Sequence, residues 1–272
     1  MSVFEEMYPS SWAEDWDAVG LVCGDPDAQV GRVMFAVDPV AAIVDEAVSW
    51  QADLVVTHHP LLLRAVHGVP ATDPKGRVVH RLINAGIGLY VAHTNADVAD
   101  PGVSDALART LGLTDTRPIA PASTDPAEPA SRRGLGRVGT VPGELTLDEF
   151  VDRAVSKLPL TGGGLRVAGD SKTVVNVAAV CGGAGDGLLD TLHDTGADVF
   201  LTADLRHHPS SESRERGAPA LVDAAHWATE WPWLMDAAHG LSGALAARDA
   251  TVETRVSILV TDPWTYATAT AR

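Results

Sequence analysis

The strongest constraint on this chain is an order of residues that occurs twice. ADLVVTHHP, Ala52 to Pro60, is followed by GLYVAHTNAD, Gly88 to Asp97; ADVFLTADLRHHP, Ala197 to Pro209, is followed by PALVDAAHWATE, Pro219 to Glu230. Each copy opens on Ala-Asp and continues as a β-branched run closed by Thr, with HHP after it. A second apolar run then ends in a histidine with an acid four residues on. Short Val-rich runs alternating with helix-length amphipathic segments read as strands with helical crossovers. The duplication therefore predicts an α/β chain of two related lobes, an internal pseudo-repeat.

The elements follow in order. VGRVMFAVD (Val30 to Asp38) reads as a buried strand, PVAAIVDEAVSWQA (Pro39 to Ala52) as a helix with Pro in its first turn, and ADLVVTHHP as a strand ending at Thr57 or His58. GRVVHRLINAG (Gly76 to Gly86) is a helix closed by glycine, GLYVAHT a strand, and SDALARTLGL a helix with Ser104 as its N-cap. Thr116 to Gly134, rich in Pro, Ala and Ser without apolar periodicity, reads as a linker. Beyond it come the strand LGRVGTV and the helix TLDEFVDRAVSKL, capped by Thr146. A strand, glycine turn and helix then span Val174 to Gly196, followed by the strands ADVFLT and PALVDAAH and a helix from Glu230 capped by Thr229. The expected division is 1–115 for the first lobe, 116–134 for the linker and 135–272 for the second.

Composition narrows the function classes. No apolar run approaches the ~18 residues of a membrane span, and the acidic, tryptophan-containing N-terminus is unlike a secretory signal, so a cytoplasmic location is expected. A net charge of −16 repels phosphate backbones and disfavours generic nucleic-acid binding, while leaving room for a local basic pocket that holds one phosphorylated small molecule. Only Cys23 and Cys181 occur, far apart, and they read as small buried hydrophobes, so any metal must use His, Asp and Glu.

Ligands in parallel α/β sheets gather beyond the carboxyl ends of the strands, where His58, His59, His93, Asp97, His226 and Glu230 all fall. Two adjacent histidines on a strand would face opposite ways, but Pro60 ends the ladder and lets both converge. Five or six such donors exceed one tetrahedral zinc. They suit two divalent ions, zinc, iron or manganese, about 3.5–4 Å apart, which lower the pKa of a shared water. Each histidine alone reads more naturally as a surface or hydrogen-bonded core residue; the joint pattern favours metal.

WDAVGLVCG (Trp16 to Gly24), the AVD of Ala36 to Asp38, DLVVTHHP, AHTNAD and the late HWATE together resemble the successive signatures of the Nif-three-like proteins, also described as GTP cyclohydrolase 1 type 2 homologs. The resemblance is ordered from residue 12 to 235. It implies two α/β lobes with a dinuclear metal centre between them and a homohexameric ring. Its metal ligands fall on His58, His59, Asp97, His226 and Glu230, and His93 matches a further histidine close to the metals, expected to move protons in catalysis. This chain departs from the family pattern in THHPLLL and in TAD, Thr202 to Asp204, where many members read TGD or TGE. The implied activity is metal-dependent hydrolysis of a nucleotide-like or heteroaromatic small molecule such as GTP. The alternative is a non-catalytic ring that handles metal or recruits partners.

Weaker features remain open. CGGAG (Cys181 to Gly185) at an expected strand-to-helix turn can hold a phosphate or serve packing. His207 and His208 read as surface residues or substrate contacts; Arg132, Arg133 and Arg137 as a solvated linker face or anion contacts. Trp227, Trp231 and Trp233 read as core.

Overall fold

The computed structural model describes residues 1–123 and 132–268. They form two compact units, Met1–Ala96 with Leu234–Thr261 and Asp97–Trp233 with Asp262–Arg272. The expected cuts at 115 and 135 are not where the chain changes unit: the crossings fall at 96/97, 233/234 and 261/262.

Unit 1 opens with α1 (Ser2–Met7), β1 (Gly20–Cys23) and β2 (Arg32–Ala36), whose RVMFA run is almost wholly buried. Helix α2 (Ala41–Trp50) follows; Pro39 precedes it and is not part of its first turn. After β3 (Leu54–Thr57) comes α3 (Pro74–Asn84). Asp73 caps α3 by accepting from the N–H groups of Lys75 and Gly76, and Gly86 at φ +71 lies just beyond its end. The helix buries Val78, Val79 and Leu82, and each such side chain contributes about 1.5–3 kcal/mol when removed from water. β4 (Gly88–Val91) and the single turn α4 (Thr94–Asp97) close this part of the chain.

Unit 2 continues with α5 (Val103–Thr110). Its cap is Gly102, whose N–H is taken by the Asp105 carboxylate, and Ser104 lies inside the helix instead of capping it. Much of the expected linker is structured. β5 (Thr114–Arg117), β6 (Ala120–Pro121) and β7 (Gly134–Leu135) fall within or at the edge of it, β6 pairing with β7, while 124–131 lie outside the described residues. The segment reads as a linker because its pairing partners lie well along the chain and leave no local periodicity.

β8 (Arg137–Thr146) leads into α6 (Leu147–Lys157), capped as expected by Thr146 with Glu149 reaching back. β9 (Arg166–Ala168) precedes β10 (Val174–Ala184), which runs straight through CGGA; only 3₁₀ turns follow, so there is no helix N-terminus at the CGGAG segment to hold a phosphate. β11 (Val199–Ala203), α7 (His207–Glu215) and β12 (Ala220–Ala224) complete the unit's sheet, ordered β5-β8-β10-β11-β12-β9. Its central β10, β11 and β12 are parallel and the flanking pairings antiparallel. One core cluster gathers around Phe150, Val180 and Leu201, a second around Phe200 and Leu192.

Helix α8 (His226–Ala246) begins four residues earlier than expected, so Thr229 is its fourth residue and not its cap. β13 (Glu253–Val256) returns to unit 1, whose sheet reads β1-β4-β3-β2-β13, parallel except for β1. Unit 1 thus holds four parallel strands, β4, β3, β2 and β13, and unit 2 three, β10, β11 and β12, with loops of the duplicated segments at the carboxyl ends of β3, β4, β11 and β12. No helix among the described residues is long and apolar enough to cross a membrane.

Candidate metal centre

In unit 1 the histidines leave the sheet at strand ends. Backbone pairing with β2 continues past β3, His58 N–H donating to Ala36 O at 3.2 Å and His59 N–H to Val37 O at 2.9 Å; Pro60, lacking an N–H, ends it. The two rings converge, with centroids 5.2 Å apart, and His93 from the end of β4 stands 5.2 Å from His58 and 5.8 Å from His59. One ring nitrogen from each of the three lies within 4.8 Å of the others.

Each ring is oriented from behind. His58 Nδ1 lies 3.0 Å from Ala92 O, His59 Nδ1 2.7 Å from Asp38 Oδ1, and His93 Nδ1 2.9 Å from Asp17 Oδ1. A backbone carbonyl only accepts, and a carboxylate at Nδ1 favours the proton there, so Nε2 keeps its lone pair in all three neutral rings. Asp17 is itself held by Thr94, through N–H at 3.0 Å and through the hydroxyl, and by Ala18 N–H at 2.7 Å. Burial opposes its charge, but the Thr94 and His93 bonds prevail and hold its carboxyl below the ordinary range. Burial first, and the neighbouring His58 next, lower His93 below its ordinary value against the pull of Asp17. Asn95 fixes the loop: its Oδ1 accepts His93 N–H at 2.9 Å and its amide donates to Tyr8 O at 2.8 Å.

Unit 2 uses a helix. His226 is the first residue of α8, and Glu230, 3% exposed, stands one turn on, so the offset of four puts both on one face. His226 Nδ1 lies 2.7 Å from Asp204 Oδ2 and its Nε2 2.9 Å from Glu230 Oε1. Asp204 sits at φ +56, a left-handed conformation that Asp tolerates better than most residues and that aims its carboxylate at the ring. Gly183, at φ +68 near the end of β10, donates its N–H to Thr229 Oγ1 at 2.9 Å. A Cβ at Gly183 would meet Glu230 Oε1 at 2.4 Å and His226 Nε2 at 3.2 Å, so only glycine leaves the carboxylate and imidazole their place. Asp97 lies at the end of α4. Burial, then the charge of Asp97, with Glu230 also contributing, pushes the Cys181 thiol up to about 12, which keeps it a neutral thiol and not a thiolate ligand.

A divalent ion fits these donors. Four histidines present Nε2 with Nδ1 fixed by oxygen, the second-partner arrangement metal-binding histidines use. A ring nitrogen and a carboxylate oxygen 2.9 Å apart, with a glycine cradle preventing crowding, are spaced as two donors to one cation.

The family described as Duf34/NIF3 (NGG1p interacting factor 3) matches residues 1–263. The chain belongs to the Duf34/NIF3 family. A Streptomyces coelicolor protein described as a GTP cyclohydrolase 1 type 2 homolog is 53% identical over 271 residues, covering 100% of this chain and 94% of that one. A Mycobacterium bovis protein of the same description is 36% identical over 373 aligned positions, covering 100% of this chain and 97% of its own length. Among solved structures, a Staphylococcus aureus hypothetical protein superposes with TM-score 0.88 at 28% identity, covering 98% of this chain and 97% of that one.

For this Duf34/NIF3 chain the three carboxylates that orient histidines, Asp17, Asp38 and Asp204, have no role assigned by the sequence reading; Asp17 and Asp38 lie in segments that resemble the family, Asp204 in the departing TAD. An acid next to an apolar run carries no local sign that a histidine up to 76 residues away will reach it. Gly183 likewise reads as one glycine among several. His207 and His208 do not enter either donor group: they open α7 as exposed residues, rings 5.1 Å apart. Arg137 is not on a solvated face. It is 1% exposed and places all five donors: two on Asp105, at 2.7 and 2.6 Å, and one each on Gly134 O, Gly136 O and Ala99 O. Trp227 and Trp233 are core, as expected.

Proposed function

We propose that His58, His59, Asp97, His226 and Glu230 hold two divalent metal ions per chain, zinc, iron or manganese, and that the protein is a hydrolase of the GTP cyclohydrolase 1 type 2 homolog class acting on a nucleotide-like or heteroaromatic substrate. The observation that carries this reading is the oxygen acceptor at Nδ1 of every histidine in both donor groups. Curated relatives bearing the GTP cyclohydrolase 1 type 2 homolog description support the substrate class. The family resemblance of the sequence motivates the proposal of a homohexamer, and the character of the sequence that of a cytoplasmic location.

The metals, when bound, supply Lewis acidity and a water of lowered pKa. The chain's own residues do the rest. Asp38 and Asp204 hold His59 and His226 in one tautomer and rotamer, so little is reorganised when a cation arrives. His93, lowered below its ordinary value, is neutral at pH 7 and accepts a proton at Nε2; Asp17 stabilises the imidazolium that results. The test is GTP turnover by metal-quantified protein beside Glu230→Gln at matched metal loading. Turnover that follows bound metal and is lost in the variant supports the hydrolase. Two metals per chain without turnover shifts the reading to another substrate or to the non-catalytic ring.

A further inference from the structure

A cavity of about 310 Å³ lies within unit 1, beyond the carboxyl ends of β2 and β3, with Asp38 and His59 in its wall. Ligands of parallel sheets bind at this end of the strands. Val40, Leu61 and Val78 give it apolar surface, and Lys75, Arg77 and Arg81 from α3 give it three cations in a chain of net charge −16. Their pairing differs. Arg81 is matched by Asp45, and the cavity's own carboxylate, Asp38, is engaged by His59 and Thr261. Asp73, next in sequence, is occupied in capping α3. Lys75 and Arg77 have no carboxylate within ion-pair distance among the described residues; the Arg77 guanidinium bonds only to Ala71 O, at 3.2 Å.

Three other cavities of this size or larger lack this combination. One of about 350 Å³ in unit 2 has Arg214 as its single Arg or Lys, beside Asp198. In unit 2, around Arg166, Arg206 and Arg214, about 320 Å³, two of the three cations are already matched, by Asp223 and Asp186. The roughly 630 Å³ cavity at the opposite ends of β2, β3 and β4 carries Asp25 and Asp53 and neither Lys nor Arg.

The geometry points to a binding site for a phosphate-bearing small molecule in the cavity between His59 and α3, its phosphate on Lys75 and Arg77 and its organic body against Val40, Leu61 and Val78. Two uncompensated positive charges match the charge of about −1.5 to −2 on a phosphomonoester at pH 7, and the Arg fork and Lys point charge are the two usual phosphate partners. The site deepens the metal-hydrolase reading, on which it rests only for what happens to the bound molecule beside His59.

The experiment is calorimetric titration of guanosine and adenosine 5′-monophosphate, their parent nucleosides and inorganic phosphate into metal-quantified and EDTA-treated protein, in the wild type, Lys75→Ala and Lys75→Ala/Arg77→Ala. The expected result is nucleotide binding at least tenfold tighter than nucleoside binding. The double variant loses at least tenfold and the single variant less, with metal content and melting temperature unchanged. Equal affinity for nucleotide and nucleoside, unchanged affinity in the double variant, or no nucleotide binding at millimolar concentration overturns it. Failure of the metal reading shows separately, as protein without bound metal whose phosphate-dependent binding persists.

Discussion

The tripeptide HHP occurs once in each unit and does two different things. In unit 1, Pro60 ends the pairing of β3 with β2, and His58 and His59 turn together toward His93. In unit 2, His207, His208 and Pro209 open a nine-residue helix and the two histidines stay exposed, while the donors His226 and Glu230 come from a helix of their own after β12. What the units share is the acid behind the imidazole: Asp38 for His59, Asp17 for His93, Asp204 for His226. The preserved unit of chemistry is therefore a histidine with its orienting oxygen, not the tripeptide.

The units also differ in how they are braced, and this gives the largest expected effect. Unit 2 has the buried Arg137–Asp105 pair, which also ties down Ala99, two residues after Asp97. Arg137→Met strands a buried carboxylate and should cost about 3–5 kcal/mol in urea unfolding; a loss near zero would show that the clamp is dispensable. Gly183→Ala combines a left-handed φ, itself worth about 1–2 kcal/mol, with a Cβ on Glu230. It should lower bound metal per chain, and full metal content would sever the glycine from the site.

Asp38→Asn and Asp204→Asn test whether the orienting acids are equivalent across the units. Each should weaken metal binding about 10–100-fold in chelator competition, and a response from only one would break the parallel. A smaller effect belongs to Asp17. Its folded pKa lies below the unfolded value, so its contribution is complete above about pH 4 and is lost as pH falls through the folded value. Asp17→Asn should flatten the acid limb of stability against pH. His207→Ala/His208→Ala should change neither metal content nor stability measurably, and a loss of metal would restore the tripeptide as the signal.

The central strands of both sheets, the capped α6 and the donor residues are legible because local patterns determine them: apolar runs, Thr146 three residues before Glu149, and histidines where runs give out. The remainder depends on distant pairing. Arg137 looked like a solvated basic residue because nothing near it in sequence reveals a carboxylate 32 positions earlier. The CGGA segment reads as a turn because glycine says nothing of the neighbours that let β10 continue to Ala184 past a shift of register. His226 read as a strand-end residue and Thr229 as a cap, since Ala-rich HWATE carries no sign of which polar residue starts the helix.

Strand β13 pairs with β2, an ion pair between Arg32 and Glu253 marking residues 221 positions apart. At about 5–20 residues per second of synthesis, β2 waits some 10–45 seconds for the neighbour on that side, while the Asp97–Trp233 part of unit 2 is made. During that interval RVMFA, almost wholly buried in the finished fold, presents an open row of backbone donors and acceptors. A nascent chain of this kind is most exposed to aggregation before β13 emerges, and a fragment ending at Ala246 would carry that open edge permanently.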